Sequence, residues 1–153
     1  MPEERWPPLE KNPGFVINRT AYIMRSFLTR VFQQHGYSIT PEEWVLLNRL
    51  WSQDGLNQGA LANLAIRDRT TVTRILDGLV RKGYVRREPD PEDRRVVCAW
   101  LTRKGRALQG RLMAIALGLK DRVIGGIPRE DMEATLRTLY RIQANIQKVT
   151  HEM

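Results

Sequence analysis

Apolar residues recur at helical spacing through most of this chain and switch to strand spacing in one short stretch. From Gly14 to Gln34, Phe15, Val16, Ile17, Tyr22, Ile23, Met24, Phe27, Leu28, Val31 and Phe32 cover a wider arc than one buried face needs, and Gly36 supplies a stop. Thr40-Pro41-Glu42-Glu43 opens a second predicted helix. Thr40 can cap it, Pro41 suits its first position, and Glu43 completes a capping box. That helix carries Trp44, Leu47, Leu50 and Trp51 into an Asp54-Gly55 turn. A short apolar pattern, Leu61 to Ala65 followed by Ile66, predicts a third. Asp68 is a good N-cap for a fourth over 69–82, which Gly83 ends.

On helix 69–82, Val72, Ile75, Leu76 and Leu79 form a narrow apolar stripe at 100° per residue. Thr70, Arg74, Asp77 and Arg81 lie opposite, with Thr71 and Thr73 on the flanks. The period then changes. Tyr84 to Glu88 and Val96 to Leu101 read as two strands, with the loop of residues 89–95 between them. Thr102 caps a long helix over 103–124, Gly125-Gly126 breaks it, and a last helix starts at Pro128 with Glu130 and Asp131 in its first turn. Its stripe is Met132, Leu136, Leu139, Ile142 or Gln143, Ile146 and Val149. The expected class is mainly α with a small β-hairpin wing.

Composition narrows this further. The chain has 153 residues, of which 42% are apolar, enough for one domain or one domain plus a helical appendage. No apolar run reaches the length of a membrane span, and Met-Pro-Glu-Glu-Arg-Trp-Pro-Pro is no signal peptide. A single cysteine, Cys98, fits a reducing compartment, so a cytoplasmic location is expected. Two distant histidines leave little for a metal, and no cofactor is expected. The motifs of zinc proteases, serine hydrolases and phosphate-binding loops are missing, so no enzyme is expected.

A short helix, a turn, a helix with a Thr/Arg outer face and then a hairpin make the order of a winged helix-turn-helix. A helix suits a major groove when one face packs on its own domain and the other offers donors to bases and phosphates. Thr hydroxyls and methyls and Arg74 supply that chemistry. The hairpin loop ends Asp93-Arg94-Arg95, which places guanidinium groups at a ribbon tip able to enter a minor groove, with Asp93 orienting a neighbouring arginine. Residues 67–106 hold 12 Lys/Arg against 6 Asp/Glu, three quarters of the whole-chain excess of +8. The plainer alternative for both elements is a solvated charged surface. A winged module for protein–protein contact and sequence-tolerant architectural DNA binding also remain open.

The residues Leu61-Ala62-x-x-Ala65, 68–79 (Asp68 to Leu79), Lys82-Gly83-Tyr84-Val85-x-Arg87, Asp90-Pro91-x-Asp93-Arg94-Arg95 and Leu101-Thr102-x-x-Gly105 resemble MarR-type transcriptional regulators. The resemblance implies a homodimer on a pseudo-palindromic double-stranded operator, acting as a ligand-responsive repressor. It implies a recognition helix whose Arg69, Thr70, Thr71, Thr73 and Arg74 meet the major groove, and a wing whose Asp93, Arg94 and Arg95 serve the minor groove. It divides the chain into a mobile tail over 1–13, a winged lobe over 37–102, and a helical dimerisation region over 14–36 and 103–153. The surplus apolar surface of helices 14–34, 103–124 and 128–150 points to dimerisation independently. Family members often bind a small aromatic acid between the helices and the lobe. Tyr22, Arg25, His35 and Trp44 are the candidates here, each weighed against a plain role as core aromatic or solvated charge. Some members sense oxidants through a cysteine early in the first helix. Residues 15–24 hold none, and Cys98 reads as a packed residue.

Overall fold

The computed structural model describes residues 8–65 and 67–152. The chain falls into two compact units, residues 1–116 and 117–153. Part of the predicted tail, and Ile66, lie outside the described residues. Within the first unit a 3-10 turn, Leu9–Lys11, leads into α1 (Pro13–Gln34), α2 (Pro41–Ser52), β1 (Leu56–Asn57), α3 (Gln58–Ala65), α4 (Arg69–Arg81), β2 (Val85–Pro89), β3 (Val97–Leu101) and the first part of α5 (Arg103–Ile124). The end of α5 and α6 (Arg129–Glu152) make the second.

Capping chemistry sets these boundaries. The Asn12 side chain accepts from the Phe15 amide at α1. At α2 the capping box is complete: the Glu43 amide donates to the Thr40 hydroxyl at 3.1 Å, and the Thr40 amide donates to a Glu43 carboxylate oxygen at 2.9 Å. Asp68 caps α4, accepting from the Thr71 amide at 2.8 Å. Gly83, at φ +75°, turns the chain out of that helix into β2.

Two features differ from expectation. The third helix begins at Gln58, three residues before the apolar pattern, because the Asn57 side chain accepts from the Ala60 amide and starts it early. A two-residue strand, β1, pairs antiparallel with β3 through Leu56↔Ala99, so the sheet has the order β1-β3-β2. Two residues are too few to show an alternating pattern.

The core of the first unit gathers Phe32 and Ile39, Leu46, Leu47 and Leu50 of α2, Leu61 of α3, and Val72, Ile75, Leu76 and Leu79 of α4. Val85, Ala99 and Leu101 of the sheet and Leu108 and Leu112 of α5 complete it. The whole predicted stripe of the fourth helix is thus inside, which leaves its other face for something else. Among the described residues no helix is long and apolar enough to cross a membrane.

The junction into α5 explains one sequence pattern. Thr102 donates its hydroxyl to the Gly83 carbonyl at 2.6 Å and accepts from the Gly105 amide at 3.0 Å, while its own amide bonds the Tyr84 carbonyl. A Cβ at position 105 would collide with that Tyr84 carbonyl oxygen. Leu-Thr-x-x-Gly is therefore a buried leucine, a two-way cap and the one residue slim enough for the approach of helix to strand.

Candidate nucleic-acid interface

The apolar stripe of α4 holds the helix in place, and its polar face is presented outward. Arg69, Thr70, Thr73 and Arg74 are exposed, while Thr71 is half-buried. The threonines are not equivalent. Thr71 donates its hydroxyl to Asp68 at 2.6 Å and so belongs to the cap. This bond and the Thr71 amide hold the Asp68 carboxyl below its usual range. Thr73 donates to the Arg69 carbonyl at 2.9 Å and accepts from the Gln58 amide at 2.9 Å. The side chains of Thr70 and Arg74 make no hydrogen bond or ion pair to described residues. With the Arg69 guanidinium, which likewise has no such bond among the described residues, they are groups on this face free to bond something else.

Asp77, expected on the outward face, is half-buried instead. Arg87 of β2 reaches it through Nη1 at 2.6 Å and bonds the Thr73 carbonyl through Nη2 at 3.0 Å. One guanidinium thus fastens the sheet to α4. At the other end of α4, Lys82 donates to both oxygens of the buried Glu43 carboxylate, at 2.9 and 2.7 Å, and to the Ser38 carbonyl at 2.6 Å. These clamps fix the angle at which the exposed face is offered.

The loop between β2 and β3 is built around two aspartates. Asp90 accepts from the amides of Glu92 and Asp93, which pulls its carboxyl below the usual range. The Asp90 amide and Val96 carbonyl close the base of the loop at 2.8 Å. Asp93 accepts from Arg95 Nε at 3.0 Å, from its Nη2 at 3.1 Å and from its amide at 3.0 Å. Those bonds from Arg95 lower the Asp93 pKa and raise that of the arginine. The Arg95 side chain is nevertheless 90% exposed, so it is oriented but not covered. Arg94 beside it is exposed, and its side chain has no bonded partner among the described residues. Cys98 is buried under this loop, its thiol donating to Asp90, and burial pushes its pKa up.

The four residues considered for an effector do not converge. Tyr22 and Arg25 line an open groove of about 430 Å³ with Ser26, Thr29, Arg30, Gln33, Pro41 and Glu42. Trp44 lies elsewhere, packed between Phe32 and Trp51 with ring centroids 5.2 and 5.7 Å away. His35 turns Nδ1 back to the Val31 carbonyl at 2.9 Å, at the end of α1. Trp44, half-buried, packs against the core as the middle ring of an aromatic row. His35 serves a helix end that lacks donors. Conversely, the sequence reading missed Gln58, Asp90 and Arg87. Asp90 and Arg87 were quoted in motifs without a role, and the only signal for Gln58 was its place beside Asn57.

The family model described as MarR family matches residues 39–97 of the chain. Transcriptional regulator HosA of Escherichia coli O111:H- is 25% identical over 122 residues, which cover 75% of this chain and 90% of HosA. A crystal structure of a MarR-family transcriptional regulator from Silicibacter pomeroyi is 32% identical, with a TM-score of 0.70 over 91% of this chain and 92% of that one. The structure of BpsR from Bordetella bronchiseptica, described for the regulation of its DNA binding by 6-hydroxynicotinic acid, has a TM-score of 0.80. It covers 91% of this chain and 98% of that one at 20% identity, a likeness of fold.

Proposed function

The chain belongs to the MarR family of DNA-binding transcriptional regulators, and on that footing we propose that it is a homodimer that reads a pseudo-palindromic operator and represses from it. The observation that carries this reading is the pairing of two exposed devices on one lobe. One is the α4 face with Thr70 and Arg74 unbonded, and the other is a wing whose Arg95 is held by Asp93 while standing in solvent. An arginine already fixed in its rotamer gives up less conformational freedom on entering a narrow minor groove. Arg69, Thr70 and Arg74 serve the major groove, with Thr73 and Thr71 held by internal bonds. Arg95 and Arg94 serve the flanking minor groove, oriented by Asp93.

Selection from random duplexes tests the reading. It should enrich a two-fold motif with half-sites about one helical turn apart. Arg74→Ala should then cost about 1–3 kcal/mol and relax preference at one position of each half-site. Arg95→Ala should weaken binding chiefly on narrow, A·T-rich flanks. Enrichment of nothing would favour the protein-contact alternative, and salt-sensitive binding without a motif the architectural one.

For the effector, the groove along α1 is the supported site. Arg25 and Arg30 can bond a carboxylate in fork geometry, and the exposed Tyr22 ring can cover an aromatic body. Among the described residues the Arg25 side chain pairs with Glu42, at 3.9 Å, a pair easily exchanged for a ligand. A small aromatic acid, with 6-hydroxynicotinic acid as the first probe, should raise the melting temperature and release operator DNA, and Arg25→Ala should abolish both effects.

A further inference from the structure

Thr73 is held at three points although it is exposed. Its hydroxyl donates to the Arg69 carbonyl and accepts from Gln58 Nε2, and its carbonyl accepts from Arg87 Nη2. The side chain thus joins α3 to α4, while β2 takes hold of the same residue through its backbone carbonyl. The side chain of another exposed threonine in this helix, Thr70, makes no bond among the described residues. Ordering a surface side chain costs conformational entropy, so convergence of this kind marks a group whose position matters to something outside the fold.

We propose that Gln58, which lies outside the recognition helix, determines specificity by fixing Thr73 so that the Thr73 methyl group meets the C5-methyl of one thymine in each half-site. The reasoning is one of elimination at the atom level. The Thr73 hydroxyl has its donor and one acceptor site engaged within the protein, so it has little left to read a base edge. The methyl remains, and a threonine methyl against a thymine methyl is a recognised major-groove contact. Without Gln58 the hydroxyl keeps only its bond to the Arg69 carbonyl, a bond that β-branched threonine makes in one of two helix rotamers. Gln58 selects that rotamer from the neighbouring helix. This inference rests on the DNA-binding reading above and adds a residue and a base to it.

The test replaces each thymine of the selected operator in turn with deoxyuridine, which deletes only the C5-methyl. Wild-type protein should bind about fourfold more weakly at one substituted position per half-site, the worth of one buried methyl group. Thr73→Ser keeps both hydroxyl bonds and removes the methyl, and should lose that discrimination entirely. Gln58→Ala should reduce it to less than about twofold, with preferences at other positions and the melting temperature retained. The double variant should show no further loss, since both changes act on the same contact. If a motif is recovered but no thymine is sensitive to deoxyuridine, or Gln58→Ala keeps the wild-type ratio, this inference fails while the regulator reading stands. If no motif is recovered, the regulator reading fails and takes this one with it.

Discussion

At Asp93, one carboxylate holds Arg95 by both its side chain and its amide, and its titration reports on that grip. Bonds from the Arg95 side chain are the largest cause of its lowered pKa, so its folded value lies below the unperturbed 3.8. A depressed carboxylate contributes order that is complete above the ordinary value and is lost as pH falls through the depressed one. Arg95 should therefore stay held through pH 5 and be released only under stronger acid. Carboxyl carbon NMR can follow this directly, and in Arg95→Ala the Asp93 midpoint should rise back toward 3.8; an unmoved midpoint would show that the arginine does not hold it. Lys82 makes a different kind of residue-scale statement. It is three-point bonded to the Ser38 carbonyl and to the buried Glu43. Lys82→Met leaves that carboxylate buried with the Thr40 amide as its partner, and should cost about 2–4 kcal/mol in denaturant unfolding. A cost under about 1 kcal/mol would mean water reaches Glu43 in the folded state.

Elements act here as rigid parts only because single side chains fasten them. Arg87 ties β2 to α4 through Asp77 and the Thr73 carbonyl, with its buried Nε left unbonded. Arg87→Lys keeps a charge for Asp77 but cannot span both acceptors, since an ammonium lacks the planar fork. The expected result is a modest stability loss of about 1 kcal/mol, together with a larger fall in operator affinity because helix and wing no longer share one orientation. Equal losses in folding and binding would reduce Arg87 to a structural tie. Helices with strong periodicity and caps were legible in the sequence: the Thr40 box, the Asp68 cap and the apolar stripe of α4 all depend on neighbours within four residues. What was not legible depends on distant partners. β1 exists because β3 is beside it, Asp77 turned inward because Arg87 comes from another element, and Trp44 joined Phe32 and Trp51 across a helix pair. The same distinction divides the site. The list of exposed α4 residues could be read from a helical wheel, but which threonine hydroxyls were already engaged could not.

For the molecule as a whole, the unsolved quantity is apolar surface. No residue of α6 is buried, and Leu136, Tyr140, Ile146 and Val149 are each about half exposed or more. On α1, Tyr22, Ile23 and Met24 stand equally open, and on α5 so does Leu117. Scattered apolar residues are ordinary on a surface, but several along one helix are the mark of an interface. A second copy of the chain is the simplest cover, since a two-fold pair buries the same patch twice. Light scattering should give the mass of two chains, and Leu136→Asp with Ile146→Asp should give one, with the winged lobe still folded because its core draws nothing from α6. The consequence for DNA follows from counting phosphates. On the proposed two-fold operator each lobe would neutralise its own set on one half-site, so a single lobe should show about half the dependence of log affinity on log salt that the pair shows. A variant of one-chain mass that kept the full salt slope would mean that the second lobe never touched DNA, and the two-fold operator would go with it.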